Sequence, residues 1–315
     1  MKEEVIVVAG PTAVGKTKTG IELAKALHGE IISGDSMQVY RTMDIGTAKV
    51  TKEEMEGIPH HLLDIKEPTE SFSASEFQTL ARACIADISS RGKVPIIVGG
   101  TGLYIRAAIS NYAFSEAKED KAYRMQLEQM AAEKGNEAVH ALLLERDPKS
   151  AERIHPNNVR RVIRALEIYH ITKQTMTEVL ADQQPEEMLY KPILIGLEME
   201  RDLLYQRINE RVDLMVERGL VQEAKALYEA GVIDCQSVQA IGYKEMYAYF
   251  KGDVSYEEAI AQLKQNSRRY AKRQYTWFRN QMNMNWFDMT SLDFQKEFKE
   301  IQSFTEGKRA SLSNE

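Results

Sequence analysis

The stretch VIVVAGPTAVGKT, Val5 to Thr17, is an apolar run followed by Gly10, Gly15, Lys16 and Thr17 in the spacing G-x-x-x-x-G-K-[ST]. Val5–Ala9 reads as a buried strand and Lys18–Leu27 as the helix that follows. A loop of this pattern at that junction is a phosphate loop. Its glycines let backbone N–H groups face inward, and the helix N-terminus adds partial positive charge. Within Gly10, Pro11, Thr12, Ala13, Val14, Gly15, Lys16 and Thr17, Lys16 brings a point charge to a terminal phosphate and Thr17 offers a hydroxyl to Mg2+. The bland alternative is a glycine-containing turn. The pattern normally suggests ATP or GTP, so the remaining chain must say which phosphate compound is held.

Outward from the loop, strand and helix alternate. Glu30–Ser33 and His60–Ile65 (HHLLDI) read as strands, and Ser73–Arg91 as a helix with Ser73 as N-cap and Glu76 three residues on. Val94–Val98 reads as a buried strand leading into GGTGLY. This alternation predicts an α/β fold, a phosphate-loop parallel sheet with helices on both faces. From Ser115 to Leu180 the pattern is helical with no strand, and Lys191–Met199 returns to the sheet. The expected organisation is a catalytic core of residues 1–110 and 191–290, a helical insertion of 111–190, and a polar tail of 291–315, disordered from Ser303. Arg201 to Phe278 reads as helical with breaks at Gly219, Gly231 and Gly252, and Met284–Met289 as a last strand.

A chain of 315 residues suits about two domains, and 43% hydrophobic with 28% charged residues describes an ordinary soluble protein. Cys84 and Cys235 stand alone, which excludes a disulfide framework or a zinc site of paired cysteines. No apolar stretch approaches the roughly 20 residues that span a bilayer, and the first strand starts within five residues, so a cytoplasmic protein without a signal peptide is expected. The net charge of −6 argues mildly against nucleic acid, but its distribution does not. Lys264 to Arg279 holds six basic residues and no acid, and Arg153 to Arg164 four, again with no acid. One such run is often only a solvated helix face; two in an acidic chain form the electrostatic footprint for a polyanion.

Further constellations sit at predicted strand ends. In SGDSMQVYR, Asp35 follows the second strand, at the carboxyl edge where open α/β sheets bind ligands. It suits an Asx-turn or cap as well as a Mg2+ ligand or general base. In IIVGGTGLY the strand ends in Gly99 and Gly100, where nucleotide-hydrolysing proteins often carry a metal-binding Asp; Asp64 is the nearest substitute. The glycines make either a tight turn or a close backbone approach to a ligand, with Thr101 offering a hydroxyl. HPNNVRRVIRALEIY starts a helix at Pro156–Asn158, with Arg160 and Arg164 on one face. QAIGYKE holds Gly242 inside a helical pattern, which costs about 1 kcal/mol against Ala. RRYAKRQYTWFRN mixes cations with Tyr270, Tyr275, Trp277 and Phe278, a mixture that suits core packing or phosphate contacts with base stacking.

GPTAVGKT, DSMQVY, HHLLDI, VPIIVGGTGLY, NNVRRVIRALEIY, AIGYKE and KRQYTWFR together resemble the tRNA dimethylallyltransferases, also called tRNA isopentenyltransferases, in order from about Val5 to Asp288. With too few cysteines for the zinc finger that eukaryotic members often add, the chain looks like the bacterial form. The resemblance implies transfer of a dimethylallyl group from dimethylallyl diphosphate to the exocyclic amine of the adenine 3′ of the anticodon, in tRNAs reading codons that begin with U. The loop would then hold the diphosphate of a prenyl donor, with Mg2+ on Thr17 and Arg211 gripping the same diphosphate. The resemblance makes Asp35 the general base, places Thr101 near the reacting amine, and gives the flipped base to Ser36, Met37 and Gln38. It assigns tRNA contacts to Arg124, to Val159, Arg160, Arg161, Val162 and Ile163, and to Gln239, Ala240, Ile241, Gly242, Tyr243 and Lys244. The same holds for Lys272, Arg273, Gln274, Trp277 and Arg279. The implied partners are the tRNA anticodon stem-loop and the donor, with no membrane and no protein partner. Two rivals share these features in part: an ATP-dependent small-molecule kinase with residues 111–190 as a helical lid, and a non-catalytic tRNA-binding module, which leaves the phosphate loop and Asp35 without a task.

Overall fold

The computed structural model describes residues 2–114, 119–181, 187–291 and 293–313. The chain opens with β1 (Glu4–Ala9), α1 (Lys16–Leu27), β2 (Gly29–Ser33), β3 (His60–His61), α2 (Ala74–Ser90), β4 (Val94–Gly99) and α3 (Gly102–Ile109). Five helices follow: α4 (Lys121–Lys134), α5 (Asn136–Arg146), α6 (Pro148–Arg153), α7 (Val159–Thr172) and α8 (Met176–Ala181). The chain then returns through β5 (Lys191–Glu198), α9 (Arg201–Glu217), α10 (Leu220–Glu229), α11 (Tyr243–Phe250), α12 (Tyr256–Gln281), β6 (Asn285–Asp288) and α13 (Phe294–Ser313).

Two compact units result, one of Met1–Tyr112 with Glu187–Glu315 and one of Ala113–Glu186. The first holds a six-stranded sheet in the order β3-β2-β4-β1-β5-β6, with every pairing parallel. Alternation along β1 shows why both faces must be covered. Val5, Val7 and Ala9 join a core with Phe77 and Ile85 of α2, Ile105 of α3 and Phe278 of α12. Ile6 and Val8 join the opposite core with Ile21 and Leu23 of α1, Leu204 of α9 and Ile301 of α13. In register, Ile6 sits between Ile96 and Ile193, so the central strands meet as β-branched pairs. The second unit is wholly helical among its described residues, packed around Leu127, Val139, Leu143, Val162 and Leu166. The expected start of the helical segment at Ser115 lies outside the described residues.

Three expectations need correction. The strand predicted over His60–Ile65 is only His60–His61, because Leu62 (φ 63°) and Asp64 (φ 54°) take left-handed backbone that no strand continues through. Gly242 is not inside a helix: it is the N-cap of α11 with φ 107°, a conformation that glycine adopts without strain. The tail expected to be disordered from Ser303 is helical through Ser313, with Phe298, Ile301 and Thr305 buried on one stripe. Their spacing is the helical period, hidden by the polar residues between them.

Candidate active site

The strand order brings the carboxyl ends of β2, β4 and β1 side by side, so three loops converge at one edge. Gly15 is the N-cap of α1, and Thr17, its second residue, is exposed. Lys16 folds back on its own loop, Nζ donating to the Pro11 carbonyl at 2.6 Å. Its ammonium is pushed down to about 7, first by burial and then by Arg211, while Asp35 opposes the shift. Arg211 reaches over from α9, with Nη1 donating to Thr12 Oγ1 at 3.3 Å. Two cations and one carboxylate therefore share this edge with the phosphate loop.

Asp35 makes the Asx-turn that its position allowed, Oδ1 accepting from Met37 N at 2.8 Å and from Gln38 N at 3.4 Å. That occupies one carboxylate oxygen and fixes the direction of the other. The turn is tied to the β4 loop: Thr101 N donates to Gly34 O at 3.1 Å, and Thr101 Oγ1 accepts from Ser36 N at 3.2 Å. The Gly99–Gly100 pair is explained by protein rather than by ligand. A Cβ on Gly99 would lie 2.2 Å from Gly34 O, and one on Gly100 would lie 2.0 Å from Gln274 Nε2. Asp64, the sequence-level substitute for a metal carboxylate, instead accepts from the buried Lys49 ammonium at 2.6 Å, alongside Asp44. Among the described residues no three His, Cys, Asp or Glu side chains gather to hold a metal.

Helix α12 closes the site from above the loops. Capped by Ser255 with Glu258 reciprocating, it runs 26 residues and has two working faces. Arg269, Lys272 and Arg273 are exposed at helical spacing on one face, and no acid pairs with them among the described residues. Lys264 is held by Asp213, Arg268 by Asn209, and Arg279 by Glu198 while lying over Tyr275 and Trp286. The six-cation run thus offers three unpaired charges. On the opposite face Gln274 is buried, so it does not present the surface contact expected of it. Trp277 packs on Gly102, whose Cβ would fall 2.0 Å from the indole. Tyr270, one turn before Gln274, is one of the four aromatics that the sequence placed among the cations without a role at the site. Its hydroxyl pKa is raised by burial and by Asp35, and eased by hydrogen bonding to Thr101.

Other expected contact residues divide by helix face. Within the second unit Arg160 and Arg161 are exposed and Val159 half-buried, while Val162 and Ile163 lie in the core. Arg124 is bound to the fully buried Glu167 through Nε and Nη2, both at 2.8 Å, and also to Glu119. In the first unit Gln239 and Lys244 are exposed and Ile241 half-buried, whereas Ala240, Gly242 and Tyr243 are buried. The Gln38 amide is committed to Ser33 Oγ and to the Thr47 and Ala48 carbonyls. A further anchor escaped sequence reading altogether. Glu223 accepts from the backbone N–H groups of Asp44, Ile45 and Gly46 at 2.8–3.0 Å and from Tyr243 Oη at 2.6 Å. Such a contact between distant segments leaves no local spacing to find.

Comparison with known proteins adds three findings. The family profile described as IPP transferase matches residues 38–281. The tRNA dimethylallyltransferase of Geobacillus thermodenitrificans is 64% identical over 309 residues, 98% of each chain, and that of Anoxybacillus flavithermus 62% identical over the whole of both. Among solved structures, the full-length tRNA isopentenylpyrophosphate transferase of Bacillus halodurans superposes with a TM-score of 0.76 at 56% identity over the whole of both chains. A eukaryotic dimethylallyltransferase acting on tRNA superposes with a TM-score of 0.82 at 32% identity, covering 99% of this chain and 80% of that one.

Proposed function

The chain belongs to the IPP transferase family, the tRNA dimethylallyltransferases, and from that premise we propose how its residues divide the reaction. It is a prenyltransferase acting on tRNA. The donor is dimethylallyl diphosphate, and the acceptor is the exocyclic amine of the adenine 3′ of the anticodon in tRNAs reading codons that begin with U. The observation that carries this reading is the convergence of Lys16, Arg211 and Asp35 on a phosphate loop roofed by a helix with a basic outer face.

In the step itself the adenine nitrogen attacks the prenyl carbon, a C–N bond forms, the C–O bond breaks, and diphosphate leaves with the electron pair. Lys16 and Arg211 place positive charge where that pair arrives. The second oxygen of Asp35 takes one amine proton, and its turn, fixed to Thr101, aims it. The base must leave its stack to reach this edge, at a cost of a few kcal/mol that phosphate contacts on Arg269, Lys272, Arg273, Arg160 and Arg161 offset. An exposed hydroxyl such as Thr17 beside diphosphate oxygens is a donor set that Mg2+ accepts, and the ion would neutralise leaving-group charge when bound. Among the described residues no helix is long and apolar enough to cross a membrane, which suits the cytoplasmic location of tRNA.

The test is transfer of labelled prenyl from donor to an anticodon stem-loop, with calorimetric titration of donor, ATP and RNA in parallel. Label on the adenine amine supports the reading. Binding of ATP in place of the donor, with no label transferred, rejects it in favour of a kinase.

A further inference from the structure

Gln274 lies inside the acid-free run, yet it is buried and faces away from any nucleic acid on the basic face of α12. Its amide spans two loops. Thr12 N of the phosphate loop donates to Oε1 at 2.9 Å, and Nε2 donates to Gly100 O at 3.0 Å. Thr101, next to Gly100, holds the Asp35 turn through Ser36. The loop that grips the leaving group and the loop that aims the base are thus joined through one side chain, and that side chain belongs to the RNA-facing helix.

We propose that Gln274 is a positioning residue that sets the separation of the phosphate loop from the Gly100–Thr101 loop and ties both to α12. The inference rests on the transferase reading above. Its chemical requirement is specific: one acceptor for Thr12 N and one donor for Gly100 O, in a space with no room for a Cβ at position 100. An amide supplies both. A protonated carboxylic acid of the same shape also supplies both, and a carboxylate supplies only acceptors.

That difference gives a test that a space-filling role would not pass. Gln274→Met keeps the volume and removes both bonds; Gln274→Glu keeps the shape and makes the donor depend on pH. Single-turnover prenyl transfer at saturating donor and RNA should fall on the order of 10–10²-fold in Gln274→Met, the loss expected from a small misplacement of reacting groups. In Gln274→Glu the rate relative to wild type should be low at pH 8 and recover as pH falls towards 5. Asp35, Lys16, Arg211 and Tyr270 face the same space, so the Gln274→Glu profile is read against wild type and against Gln274→Met, which carries no titratable group at position 274. A calorimetric titration with inorganic diphosphate should weaken in Gln274→Met, independently of turnover. If Gln274→Met does not fold, Gly100→Ala carries the same test, because its Cβ displaces the amide while Gln274 remains.

A Gln274→Met enzyme within threefold of wild type in rate and in diphosphate affinity overturns the proposal, as does a pH-independent ratio for Gln274→Glu. Failure of the wild-type protein to transfer prenyl would instead sink the transferase reading and leave the diphosphate titration to decide the loop.

Discussion

Replacing Asp35 by Asn separates two tasks that the structure assigns to different oxygens of one carboxylate. Oδ1 holds the turn through Met37 N and Gln38 N, and an Asn oxygen accepts both bonds equally well. Folding stability should therefore stay within about 0.5 kcal/mol of wild type. The second oxygen is the proposed base, and the Asn amide presents N–H groups in its place. The adenine amine is a weak nucleophile because its lone pair is delocalised into the ring, so loss of proton acceptance should cost about 10²–10⁴ in the chemical step, or roughly 3–5 kcal/mol. Donor affinity should move little, because two effects oppose each other. Removing the carboxylate lets the Lys16 pKa fall further, and it also removes a charge that repels diphosphate. Asp35→Ala is the control: it should match Asn in rate but lose a further 1–3 kcal/mol, approximately, of stability with the two turn bonds. The assay is single-turnover prenyl transfer with both substrates saturating, beside thermal unfolding. A loss under threefold in Asp35→Asn would show that the residue only shapes the turn.

Four further outcomes are expected. A Lys272→Ala, Arg273→Ala double variant should flatten the slope of log K for RNA against log salt by about 1.4–1.8, from 0.7–0.9 per phosphate contact, and an unchanged slope would assign both side chains to solvent. Lys16→Ala should lower turnover by orders of magnitude with RNA affinity within a few-fold. Because the Lys16 pKa is pushed down to about 7 from 10.5, the unfolded chain binds more protons between those values, and stability of the free protein should rise with pH across that window. Lys16→Met should flatten that rise in a pH series of melting curves; an identical rise in both proteins would contradict the depressed pKa. Arg124→Ala should cost about 1.5–3 kcal/mol in denaturant unfolding, since buried Glu167 loses a charged partner. Unchanged unfolding with weakened RNA binding would instead return Arg124 to the RNA surface.

The phosphate loop and the sheet around it were legible because their signals are local: an apolar run, fixed glycine spacing, and a cap followed by a helix. What escaped depends on contacts between distant segments. Gln274 and Gly100 are 174 residues apart, and nothing near either one announces the other. The expected nucleic-acid segments were read as continuous stretches, but a helix of 3.6 residues per turn buries one face only, so Val162 and Ile163 face the core beside exposed Arg160 and Arg161. The short β3 reflects positive φ at Asp64 and at Leu62, the latter a residue type that gives no warning of it. Helix α13 was hidden by composition, its apolar stripe thin among charges.

Glu223 sits where a bound anion would sit, in a concavity of three backbone N–H groups, and Tyr243 closes on the same carboxylate. The protein therefore carries an internal counter-ion beneath the segment that displays Gln239 and Lys244. A surface assembled in this way before contact has little conformational freedom left to lose when a polyanion arrives. Its encounter with RNA should then be set by diffusion and charge steering, with an on-rate that falls as salt rises and with no slow ordering phase.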